Sequence, residues 1–233
     1  MKLLDSCRSL FVLSIFSLSL SVFMASPAGA QVVGAELTVR ERSDNKNQPL
    51  YFLELNGGIG YPLAERMKEA LANLTKPIPI LLKLNSGGGS RNEGLLVIEL
   101  LEAEIAKGRT IHTSVENGEM CGSMCVPIFM VGKKRYGGEG ALFMFHGASK
   151  AFTTNVPSVI PTEEMLLGFG KAGVSKEWIE ARRAEGVFSK PGAYWISGRE
   201  LFEAKANVLT HTIPRHVLEE PWSMPYDASM GPK

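Results

Sequence analysis

The stretch Ile78-Pro79-Ile80-Leu81-Leu82-Lys83-Leu84-Asn85-Ser86-Gly87-Gly88-Gly89-Ser90 decides how the chain folds. Ile78 to Leu84 is a short, nearly unbroken apolar run, the pattern of a strand buried on both faces. Asn85 to Ser90 is a glycine-rich loop. A helix follows through Leu95, Leu96, Leu100, Leu101 and Ile105 and ends near Gly108. Thr110 to Val115 is the next β-branched strand.

Outward from this unit, the alternation continues. Leu50 to Leu55 reads as a strand, broken by Asn56-Gly57-Gly58-Ile59-Gly60. Pro62 then opens a helix with Leu63, Met67, Ala70, Leu71 and Leu74 on one face. Arg40 to Pro49 reads as a polar loop between two early strands. Downstream, a short helix spans Ser123 to Val131, and Arg135-Tyr136 and Leu142 to Phe145 read as strands. Lys133, Lys134 and Arg135 read as the solvated charges of a turn. Beyond residue 146 the chain is more helical, over Thr162 to Phe169 and Lys176 to Ala184, with Thr162 and Ser175 as N-caps. Strand and helix in alternation imply an α/β domain with a mainly parallel sheet and right-handed crossovers.

Composition narrows the class. Of 233 residues, 45% are hydrophobic and 21% charged, so the chain reads as globular. The formal net charge is +1, which gives no electrostatic case for nucleic acid or for an anionic membrane surface. Lys2 and Arg8 precede the apolar stretch Leu10 to Met24, and Ser26-Pro27-Ala28-Gly29-Ala30 offers an Ala-x-Ala-like cleavage site. Residues 1–30 are therefore expected to be a secretory signal cleaved after Ala30, the alternative being an uncleaved anchor, and the mature chain is expected to be exported across the inner membrane, to the periplasm. The organisation expected is signal 1–30, domain 31–215 and a proline-bearing tail 216–233. Cys7 leaves with the signal, so Cys121 and Cys125 remain in an oxidising compartment. They are either a disulfide or two buried thiols. Two cysteines without paired histidines do not make a zinc set, and no metal or other cofactor is implied.

The glycine loop can aim backbone N–H groups at a ligand, and it lacks the Gly-Lys-Ser/Thr ending of a nucleotide loop. Met120-Cys121-Gly122-Ser123-Met124-Cys125 places a serine on a small-residue turn before a short apolar helix. There it serves as an N-cap or as a nucleophile, with the following N–H facing an oxyanion. His146 closes the apolar strand Leu142 to Phe145 and supplies the base that a serine hydroxyl needs at neutral pH.

This order of features resembles the proteolytic subunit of the Clp protease. It is more similar still to the exported Clp-like proteins of bacteria, whose nucleophile turn is flanked by two cysteines. The likeness runs from about Leu50 to Ile213 and includes Trp195-Ile196-Ser197-Gly198-Arg199-Glu200-Leu201, similar to that family's Leu-Ser-x-x-Glu-Ala segment. It implies a ClpP/crotonase-like spiral of repeated ββα units. It also implies Ser123 as nucleophile, His146 as base, and the N–H groups of Gly89 and Met124 as oxyanion donors. Gly87 stands where the family has proline. The family's aspartate has no counterpart, because no Asp occurs between Asn45 and Tyr226; Glu180 and Glu185 are the nearest carboxylates.

The reading is an exported, ATP-independent serine peptidase, a homo-oligomer that takes peptide or protein substrates and needs no ATP-driven unfoldase. One rival is a catalytically degenerate Clp-like protein that binds peptides or assembles. Another is a crotonase-type enzyme acting on acyl-CoA.

Overall fold

The computed structural model describes residues 34–44, 46–149 and 156–215. The signal expected at 1–30 and the tail expected at 216–233 lie outside the described residues. Among the described residues fifteen elements follow one another: β1 (Glu36–Ser43), β2 (Pro49–Asn56), α1 (Leu63–Ala72), β3 (Ile80–Asn85), α2 (Arg91–Ala106), β4 (Ile111–Val115), β5 (Met120–Gly122), α3 (Cys125–Met130), β6 (Arg135–Gly138), β7 (Leu142–Phe145), α4 (Val159–Lys171), α5 (Lys176–Ala184), β8 (Tyr194–Ser197), α6 (Gly198–Glu203) and β9 (His211–Ile213).

A six-stranded sheet runs β1-β2-β3-β4-β6-β9, and a three-stranded sheet runs β5-β7-β8. The large sheet is parallel throughout except for β1, which is antiparallel to β2. In the small sheet β5 and β7 are parallel, and β7 and β8 antiparallel. This is a mixed α/β domain with a mostly parallel sheet, the class read from the alternation of apolar runs.

β3 shows why its sequence is nearly unbroken. Ile80, Leu82 and Leu84 enter the main core with Leu53 and Leu55 of β2, Met67 of α1 and Leu101 of α2. Leu81 joins Leu50 and Phe52 in a smaller cluster on the other face. Alternation along a strand puts Lys83 on that second face. There its Nζ meets Glu116 at 2.9 Å and Glu119 at 3.1 Å. Burial works to lower the Lys83 pKa, but those hydrogen bonds and charges outweigh it, and the ammonium is held above its usual value.

In the large sheet two local readings change. Arg40 to Ser43 belong to β1, paired with Phe52 to Pro49 of β2, because polar side chains suit an edge strand. Arg135 is not a solvated charge. It is 6% exposed, and its guanidinium donates to the carbonyls of Val208 and Asn207 at 2.7 Å each. It ties β6 to the segment before β9, a use of the five-donor fork that lysine could not copy.

Candidate active site

β5 ends at Gly122, and Ser123 and Met124 turn the chain into α3. Ser123 has φ +50°, in the left-handed region that residues with a side chain seldom occupy. Such a residue costs on the order of 1–3 kcal/mol and persists only where its surroundings hold it. Here the Ser123 N–H donates to Met144 O at 3.0 Å, and its carbonyl accepts from Val126 N at 3.0 Å. Cys121 and Cys125 form a disulfide across the turn with Cα atoms 5.2 Å apart, and both are fully buried. Met124, not Ser123, stands at the N-cap of α3, and no side chain caps that helix. The serine hydroxyl is therefore free for other use.

The small sheet brings His146 to it. Gly122 pairs with Met144, so the chain beyond β7 passes the serine turn. His146 Nε2 lies 2.7 Å from Ser123 Oγ. His146 Nδ1 lies 2.7 Å from the carbonyl oxygen of Gly147. A carbonyl oxygen only accepts, so the ring proton sits on Nδ1. Nε2 then keeps its lone pair and accepts the Ser123 O–H, the arrangement a general base requires. The Gly147 backbone is tightly seated: a Cβ there would fall 2.2 Å from Phe188 O and 2.6 Å from Pro157 Cβ.

The glycine loop after β3 reaches the same point. A Cβ on Gly88 would fall 2.6 Å from Ser123 Cβ and 3.0 Å from Met124 N, so only glycine lets the loop approach the serine this closely. The Gly88 carbonyl accepts from Ile59 N at 2.9 Å, and Ile59 O accepts from Ser90 N at 2.7 Å. In a trans peptide the next N–H points opposite to the carbonyl. The Gly89 N–H is thus turned away from Ile59. Gly89, Ser123, Met124 and His146 all line one open cleft of about 1350 Å³. Beyond the serine the cleft runs between α2, α3 and α4, over Leu95, Ile98, Pro127, Met130 and Met165.

The structure brings Ser123, His146, Gly89, Met124 and the cystine together. It does not bring the two glutamates. Glu180 faces Arg183 at 3.6 Å, and Glu185 pairs with Arg182. Arg182 is further held by Tyr194 Oη at 2.6 Å. Both carboxylates are engaged on α5 and its C-cap, while the His146 Nδ1 partner is a main-chain oxygen. That acceptor has no signature in the sequence, because every residue carries a carbonyl.

No family model and no curated protein sequence matches the chain. Among solved structures, a point mutant of ClpP1 from Listeria monocytogenes superposes with a TM-score of 0.52 at 18% sequence identity, covering 70% of this chain and 91% of that one. The fold is ClpP-like. At that identity the likeness speaks for the backbone alone, and the chemistry rests on this chain's own residues.

The tautomer is directly measurable. Long-range proton–nitrogen NMR correlation on histidine-labelled protein should show His146 protonated at Nδ1, with the Nδ1 proton shifted downfield by its hydrogen bond. Gly147→Ala, forced against Phe188 O, should abolish that shift. An Nε2-protonated ring in the wild type contradicts the assignment.

Proposed function

We propose that this protein is an exported serine peptidase of the ClpP/crotonase type that works without ATP. The observation that carries the reading is the relay Ser123 Oγ to His146 Nε2, with Nδ1 anchored on Gly147 O. In the proposed cycle His146 Nε2 takes the Ser123 proton as Oγ attacks the substrate carbonyl. The N–H groups of Gly89 and Met124 stabilise the oxyanion. The protonated imidazole then gives its proton to the leaving amine. A water, deprotonated by the same nitrogen, attacks the acyl-enzyme and frees Ser123.

A second reading has its own observation. His146 Nδ1 meets a neutral carbonyl where a triad places a carboxylate. A carbonyl fixes the tautomer but adds no charge to stabilise the imidazolium that forms, which the acid of the Ser-His-Asp template does. A slow peptidase, or a degenerate protein that binds peptides without cutting them, follows from that difference. Hydrolysis decides between them. Ser123→Ala and His146→Ala should each abolish cleavage of an unfolded protein substrate in the absence of ATP. The double variant should lose little beyond either single one, because groups acting as a unit are not additive. Cleavage that survives Ser123→Ala sinks the peptidase reading.

Export and periplasmic location are part of the proposal, as are the ββα spiral, a homo-oligomeric state and the absence of an unfoldase partner. The buried Cys121–Cys125 cystine supports export, since such bonds persist in oxidising compartments. The mature protein should begin at Gln31 on N-terminal sequencing. A chain still starting at Met1 in the membrane fraction would replace the cleaved signal with an anchor.

A further inference from the structure

The loop that carries the oxyanion donor has three consecutive glycines, Gly87 to Gly89, which by themselves would leave its peptide planes free. Two contacts pin the central one. The Gly88 carbonyl is held by Ile59 N at 2.9 Å. The Gly88 N–H donates to Ser86 Oγ at 3.1 Å. With the atoms on both sides of its Cα fixed, Gly88 is held at φ +98°. The plane of the Gly88–Gly89 peptide, and with it the direction of the Gly89 N–H, follows.

Ser86 is itself laced to the nucleophile segment. It bridges Cys121 in parallel, with Ser86 N donating to Met120 O and Gly122 N donating to Ser86 O, both at 2.8 Å. It is 2% exposed. One residue therefore joins β5, which presents Ser123, to the loop that presents Gly89. We propose that Ser86 is a positioning residue for hydrolysis: its hydroxyl fixes the Gly87–Gly88 peptide, which meets the Ile59-held Gly88–Gly89 peptide at the Gly88 Cα and so keeps the Gly89 N–H aimed at the developing oxyanion. The inference rests on the serine-peptidase reading and adds to it a side chain that touches neither substrate nor base. Physically, Ser86 Oγ supplies preorganisation that the glycines cannot. Its effect belongs in the transition state, because the oxyanion forms only there.

The test compares wild type, Ser86→Ala and Ser86→Thr by steady-state kinetics and by amide hydrogen exchange at Gly88. Ser86→Ala should lower kcat about tenfold or more while KM stays within about twofold, the signature of an interaction made only in the transition state. It should also weaken a peptide boronate, which mimics the tetrahedral intermediate, by the same factor. Ser86→Thr keeps the acceptor oxygen and should restore both. The Gly88 amide should be protected in wild type and in Ser86→Thr, and unprotected in Ser86→Ala. An unprotected Gly88 amide in the wild type overturns the inference whatever the kinetics. So does an unchanged kcat in Ser86→Ala, or a loss carried by KM together with a lowered melting temperature. If Ser86→Ala is fully active while Ser123→Ala is dead, the inference fails and the peptidase reading stands. If Ser123→Ala is active, both fall.

Discussion

Ser123 stands at φ +50°, a conformation an L-residue leaves unless it is held. The contacts that hold it come from its own turn and from two distant parts of the chain. The Met144 carbonyl of β7 fixes its amide, the Val126 amide of α3 fixes its carbonyl, and the Cys121–Cys125 bond closes the turn. Gly88 from the loop after β3 fills the space where any side chain would displace it. The strain at one residue is thus supported by two sheets and a covalent link, which is how a left-handed serine persists and keeps its hydroxyl aimed outward.

The site is a convergence of chain reversals. β3 delivers the glycine loop, β5 delivers the serine, and β7 delivers the histidine. Parallel pairing of β5 with β7 sets the register that puts His146 Nε2 2.7 Å from Ser123 Oγ. The Ser86–Cys121 bridge ties the large sheet to the small one at that level. The main core, with Leu82 and Leu84 of β3 and Phe143 of β7 all fully buried, keeps these strand ends from moving independently. The geometry of the candidate site follows from sheet register and packing more than from side-chain contacts within it.

Much of this is legible in the residues. β3, α2 and β7 stand out because unbroken or periodic apolar runs have few alternatives. Ser123 and His146 stand out only as a pair: a serine on such a turn is alone as readily an N-cap and a histidine after a strand alone as readily structural, but a serine hydroxyl needs a base at neutral pH. Ser175 is an N-cap in sequence and structure alike, accepting from Trp178 N at 3.2 Å. Other features are hidden for physical reasons. β1 extends through Arg40 to Ser43 because an edge strand tolerates charge, and Arg42 lies over the Phe52 ring at 4.5 Å. α4 begins at Val159 after the N-cap Ser158, ahead of Pro161, although a residue before proline is biased against helix. A proline in the first turn loses no internal hydrogen bond, so the helix starts earlier than Thr162. The Gly147 carbonyl is invisible in any sequence, because its role depends on where a peptide plane faces.

The proposed function turns on Ser123 being a nucleophile activated by His146. The most direct measurement is mass-spectrometric mapping of the adduct formed by a fluorophosphonate, which reacts with activated serines. An activated Ser123 predicts a single adduct at that residue in the wild type and none in His146→Ala. A wild-type protein that stays unmodified, or one modified at another serine, would contradict it.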